Sequence, residues 1–145
     1  MEQQYSINDV VKFIVAQTGC GEAEVEPNVD LLNDLGCSGD DFDDLIEAYA
    51  KEFHIDISAY LWYFHTDEEG NNIGGMFFKP PYERVKHIPV TPDLLLKYAN
   101  VGKWEMIYPD HVLPKRRYDI IINSILVIGT ISVLIYFLIR KVMGA

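Results

Sequence analysis

Apolar residues along the chain follow three rhythms: a helical spacing, a short alternation and one unbroken run. Ile7, Val10, Val11 and Ile14 stand at the i, i+3, i+4, i+7 spacing of one helix face, with Ser6 as a candidate N-cap and Asp9 three residues on, which predicts a helix over 7–17. Asn8 and Lys12 fall off that face. Breakers at Gly19, Gly21 and Pro27 predict a loop into Val29-Asp-Leu-Leu-Asn-Asp-Leu-Gly36, whose Leu31, Leu32 and Leu35 are placed to pack back on the first helix. The strongest stripe is Phe42, Leu45, Ile46, Tyr49 and Phe53; it predicts a helix over 41–53, with Asp43, Asp44, Glu47, Lys51 and Glu52 mostly on the other side. Thr91 as cap, Pro92 at the first position and Gly102 beyond the end delimit a short helix over 91–99.

Tyr60, Trp62 and Phe64 alternate in the manner of a strand, Asp67-Glu-Glu-Gly-Asn-Asn72 forms a turn, and Met76 to Phe78 would supply a hairpin partner. Short apolar runs do not separate helix from strand, so the insertion over about 59–85 is either irregular or a β-hairpin. Residues 103–114, with Pro109 and Pro114, read as a connector ending at Lys115-Arg116-Arg117. Beyond it, residues 120–139 carry no charge over 20 positions, and as a helix they would be about 30 Å long, the thickness of a hydrocarbon core. The pattern thus predicts a mainly α protein: a helical domain over 1–104, a basic-flanked connector over 105–117, one transmembrane helix over 118–139 and a short tail over 140–145. Asn123, Ser124, Thr130 and Ser132 within the run would bond inside the helix or to a partner helix, and Gly129 stands alone without a Gly-x-x-x-Gly pattern.

Charge sharpens this division. The whole chain has 12 Lys plus Arg against 22 Asp plus Glu, a net of -10. Residues 1–114 hold seven basic and 21 acidic residues, whereas residues 115–145 hold five basic and one acidic. Over residues 1–58, only Lys12 and Lys51 offset 14 acids, a balance that repels nucleic acid and favours a basic protein partner. The opening MEQQYSINDV has no basic stretch followed by an apolar core, so the acidic domain is expected in the cytoplasm, with the C-terminal run as a single-pass tail anchor in the inner (cytoplasmic) membrane.

Candidate chemistry is sparse. Cys20 and Cys37 make no disulfide framework or zinc spacing and read as reduced thiols. Five carboxylates lie between Asp34 and Asp44, but a calcium loop starting at Asp34 would put Gly36 at its third position and Leu45 at its twelfth, neither with a side-chain oxygen. No metal site is therefore expected. Asp40, Asp41, Asp43 and Asp44 have no nearby histidine or nucleophile in sequence, which argues against an enzyme; Asp40 and Asp41 also suit a helix N-terminus electrostatically. His54, His65, His87 and His111 are scattered and read as surface or packed histidines.

From Asp34-Leu-Gly-Cys-Ser-Gly-Asp-Asp-Phe-Asp-Asp-Leu-Ile-Glu through Glu52-Phe-His-Ile-Asp-Ile57, the chain resembles an acyl carrier protein. Such proteins carry Asp-Leu-Gly, then Asp-Ser-Leu, then an acidic amphipathic helix and an isoleucine-rich turn. The 6–17 helix is similar to that family's first helix, and His87-Ile-Pro-Val-Thr91 with the helix after it is similar to its last, so the resemblance covers about 5–58 and 86–102. It implies an acyl-carrier-like helical bundle. The family's serine, which holds the phosphopantetheine arm, falls on Gly39, with Ser38 in place of the preceding Asp and Asp40 in place of the Leu. This variant looks more like small bacterial acyl-carrier-like proteins of unknown function, and it implies no cofactor unless Ser38 serves instead. Three functions follow as expectations: a non-enzymatic, membrane-anchored module binding a basic partner through Asp40, Asp41, Asp43, Asp44, Glu47 and Asp56; a true carrier modified at Ser38; or a small regulatory subunit of a membrane complex whose span makes the specific contacts.

Overall fold

The computed structural model describes residues 4–144, and they are mainly helical. Four α-helices follow in order: α1 over Ile7–Thr18, α2 over Gly39–Glu52, α3 over Pro92–Val101 and α4 over Tyr118–Val142. Contacts divide the chain into two compact units. The first runs through Glu69 and resumes over Val85–His111; the second takes Gly70–Arg84 and everything from Val112 on. The first unit therefore continues past Trp104 to His111, and only part of the insertion belongs to it.

Local chemistry sets the helix ends. Ser6 and Asp9 form a reciprocal capping box, with the Ser6 N–H donating to Asp9 Oδ2 at 2.8 Å, and Gly19 closes α1 at φ 72°. Thr91 Oγ1 accepts from the Leu94 N–H at 3.2 Å to start α3. The stripe of α2 is the core of the first unit: Phe42, Leu45, Ile46 and Tyr49 are buried together with Val10 and Ile14 of α1, Leu95 of α3 and Trp104. The Tyr49 hydroxyl donates to the Leu95 carbonyl and so ties α2 to α3. Asn100 of α3 bonds both backbone groups of Tyr5, at 2.8 and 3.2 Å, and holds the entry to α1.

Two details differ from the pattern-based expectation. No strand occurs among the described residues; their one β-pairing is the isolated parallel bridge between Asp56 and Lys103. Trp62–Phe64 and Gly74–Met76 are instead separate 3-10 turns, so the hairpin alternative is replaced by the irregular one. The aromatic alternation arises because Tyr60 turns inward beside Trp104 and Phe64 beside Tyr108, an arrangement a coiled turn achieves as well as a strand. In addition, α2 starts at Gly39 rather than Asp41, which makes Ser38 its N-cap residue.

In the second unit, α4 is 25 residues long, with a mean hydropathy of 2.4 over its most apolar stretch, none of which is buried. It is long and apolar enough to cross a membrane, and its exposure sets it apart from the core helix of a soluble protein.

Candidate functional site

The entrance to α2 combines four features. Gly39, the first helical residue, is buried and sits at φ 54°, in the left-handed region. Its N–H donates to Thr66 Oγ1 at 3.2 Å. A Cβ built on Gly39 would lie 2.1 Å from Glu69 Cγ and 2.9 Å from its Oε1, so the Glu69 side chain covers the spot where any side chain at position 39 would begin. Ser38, half-buried, makes no side-chain capping bond. A serine at position 39 would thus need both a strained backbone and a displaced glutamate.

Along the helix, Asp40, Asp41, Asp43, Asp44 and Glu47 are all exposed. They do not all share one neighbourhood. The Asp43 carboxyl is held above the usual carboxylate range, first by partial burial and then by the charges of Asp40, Glu47, Asp44 and Glu68. Among the described residues no cation enters that balance. Asp41 instead faces Cys37: burial, then the Asp41 charge, push the Cys37 thiol up to about 11. That removes it as a reactive thiolate at neutral pH. A cleft of about 260 Å³ opens beside this flank, lined in part by Cys37, Asp41, Asp44 and Thr18. Asp56 follows the end of α2 rather than lying on it. Its Oδ1 accepts from the Ser58 N–H at 2.9 Å, and this bond, with Lys103 nearby, holds its carboxyl below the usual range. Its chemistry is that of a turn.

Sequence reasoning missed a second polar centre. His65 is fully buried, its Nδ1 is 2.8 Å from the Ile88 carbonyl, and its Nε2 is 2.8 Å from the Tyr108 hydroxyl. That hydroxyl also receives the Leu61 N–H at 3.2 Å and the Trp104 indole N–H at 2.9 Å. The protons are thereby assigned: a carbonyl only accepts, so Nδ1 carries hydrogen; a hydroxyl already receiving two donors sends its own proton to Nε2. Burial pulls the His65 pKa down to about 4, keeping the ring neutral. The ring stacks on Tyr60 at 5.2 Å between centroids. Nearby, the buried Asp30 is bonded by His87 Nε2 and Asn33 Nδ2, each at 2.6 Å, while Asp34 of the Asp-Leu-Gly motif accepts the Asp30 N–H at 2.7 Å. These groups brace loops. Among the described residues, no three His, Cys, Asp or Glu side chains are placed to hold a metal ion.

In the second unit, the polar residues of α4 are satisfied at home. Ser124, Thr130 and Ser132 hydroxyls donate to the carbonyls four residues back, at 2.8–2.9 Å. Asn123 accepts the Gly74 N–H at 2.7 Å and donates to Asn72 at 2.8 Å. None of the four requires a partner helix to satisfy it.

The model of a family described as a protein of unknown function (DUF1493) matches residues 6–108, and the chain belongs to that family. The matched stretch begins at the cap of α1, contains the acidic face and the His65 centre, and ends before α4. No curated protein and no solved structure matches the chain.

Proposed function

We propose that this family member is a non-enzymatic, acyl-carrier-like module, anchored by α4 in the cytoplasmic membrane, whose α2 face docks a basic protein surface. One observation carries the reading: Asp40, Asp43, Asp44 and Glu47 stand exposed on one helix, and the Asp43 carboxyl is raised by partial burial and then by the like charges of Asp40, Glu47 and Asp44. An approaching lysine or arginine surface relieves that repulsion, steering encounter and fixing orientation. Asp40, Asp43, Asp44 and Glu47 form the contact, and Asp41 extends it toward the small cleft. Asp56, committed to its turn, stands outside it. The three basic residues before α4, against two after it, favour placing the N-terminal side in the cytoplasm. The resemblance to acyl carriers supports the same reading, since it too places an acidic amphipathic helix at this position. Gly39 supplies no attachment oxygen, and Glu69 puts a negative charge beside the helix entrance that a phosphodiester would occupy.

The test is a co-purification from membranes with wild-type protein and with Asp43→Lys plus Glu47→Lys. A specific partner is expected to be lost on the double reversal and to dissociate as salt shortens the screening length below about 10 Å. A partner retained by a folded double variant at unchanged salt sensitivity ends the reading.

A second reading has one observation in its favour. Ser38 stands at the N-cap of α2 with a hydroxyl that makes no capping bond, where a helix N-terminus favours an anion. Intact mass after co-expression with a phosphopantetheinyl transferase decides: a gain of the arm's mass, abolished by Ser38→Ala, would establish a carrier, and an unshifted mass removes that reading.

A further inference from the structure

We infer that the turn over residues 73–78 is a second membrane contact, a wedge seated in the interfacial layer of the bilayer beside the first turns of α4. The inference rests on α4 crossing the bilayer and concerns a segment to which the proposed function assigns nothing. Four large apolar side chains in six residues are exposed: Ile73 by 51%, Met76 by 82%, Phe77 by 71% and Phe78 by 45%. Single exposed apolar residues are ordinary, but a contiguous group calls for a partner.

The turn has a fixed position on the helix. Gly74 donates its N–H to Asn123 Oδ1 at 2.7 Å, the Asn123 amide donates to Asn72 at 2.8 Å, and the Asn72 amide donates to Asp119 Oδ2 at 3.0 Å. A Cβ on Gly74 would lie 2.1 Å from the Asp119 carbonyl oxygen, so only glycine lets the two backbones approach this closely. The apolar side chains are thereby held level with residues 119–123, where the uncharged run begins. Continuity with the span makes lipid the occupant.

The backbone fits the same environment. From Gly74 to Phe78 every N–H is donated within the unit: to Asn123, to Asn72, to the Ile73 carbonyl and, from both Phe77 and Phe78, to the Gly74 carbonyl. Unpaired N–H groups are what exclude irregular chain from lipid, and here they are spent internally. Charges are managed too. No acid lies between Gly70 and Tyr82, and Asp119 is closed by Arg117 through two contacts, at 3.0 and 2.6 Å. Lys79, Lys115 and Arg116 remain exposed to meet anionic headgroups. Phe78 lies against Tyr118 at 5.4 Å, an aromatic pair suited to that depth.

The full chain, reconstituted in phosphatidylcholine vesicles with a minority of phosphatidylglycerol, tests this. An environment-sensitive fluorophore is attached singly through Met76→Cys, Ile131→Cys or Asp93→Cys in a Cys20→Ser, Cys37→Ala background, and quenched by nitroxide lipids labelled near the headgroup or near the chain end. The expected result is several-fold stronger shallow-nitroxide quenching at position 76 than at position 93, with position 131 quenched by the deep label. Quenching at 131 without quenching at 76 overturns the wedge while leaving the span intact. Loss of quenching at both positions removes the span and the wedge with it. Shielding of position 76 from aqueous iodide without lipid quenching assigns the patch to a protein neighbour and also overturns the inference. Phe77→Trp, read by tryptophan quenching over the wild-type signal, repeats the measurement with both cysteines in place.

Discussion

Replacing His65 by Asn is expected to remove the part of the first unit's acid sensitivity that arises from this ring. The wild-type ring is fully buried and neutral, with its pKa pulled from 6.5 to about 4 by burial. An unfolded chain regains the ordinary value, so between pH 6.5 and about 4 the unfolded state holds the extra proton. Stability from this group is complete above pH 6.5 and falls as the pH drops toward 4. At about 1.4 kcal/mol per unit, the full loss is about 3 kcal/mol, a large share of an ordinary domain's stability. Protonation would also turn Nε2 into a donor facing a hydroxyl that already receives two N–H groups. Asparagine keeps a donor for the Ile88 carbonyl but cannot titrate, and it leaves the Tyr108 proton without its acceptor; the cost is about 1–3 kcal/mol at neutral pH. The assay is urea unfolding of the full chain in detergent, followed by tryptophan fluorescence, to which Trp104, 5.5 Å from the His65 ring, contributes with Trp62. The quantity of interest is the difference between wild type and variant as the pH is lowered, which cancels the other carboxylates and histidines. An unchanged difference across that window, or an NMR titration of His65 with a midpoint above 6, would refute the reasoning.

Three further outcomes follow from single groups. Gly39→Ser should lower stability by about 1–2 kcal/mol, because an L-residue is strained at φ 54° whatever its neighbours; a matching loss in Gly39→Ala would assign the cost to the Cβ, and no loss in either would contradict the geometry. Tyr60→Phe should leave stability unchanged or raise it by about 1 kcal/mol, since the Tyr60 hydroxyl is buried without a hydrogen-bond partner among the described residues; a clear loss in thermal unfolding would reveal a partner. Of the two thiols, Cys37 should resist alkylation at neutral pH until the protein is unfolded, because burial and the Asp41 charge hold it protonated; peptide mapping that found it modified at the rate of a free thiol would sink this.

The amino-acid sequence by itself determined α1, α2 and α3 and the apolar extent of α4. Helical spacing, a capping box and a glycine stop act within a few residues, so Val10, Ile14, Phe42 and Leu45 already announce which face is buried. Much of the acidic cluster was legible for the same reason: Asp40, Asp43, Asp44 and Glu47 share a helix, while Asp56 lies past its end and turned out to serve its own turn. Tertiary structure alone decided the rest. It showed that Tyr108 closes the His65 centre 43 residues away, that His87 meets Asp30 across 57, that Glu69 covers Gly39, and that Asn72 and Gly74 are fastened to the start of α4. Such contacts carry no period and no fixed spacing. They form because folding strips water from polar groups in irregular segments, and each must find a partner wherever the chain happens to bring one.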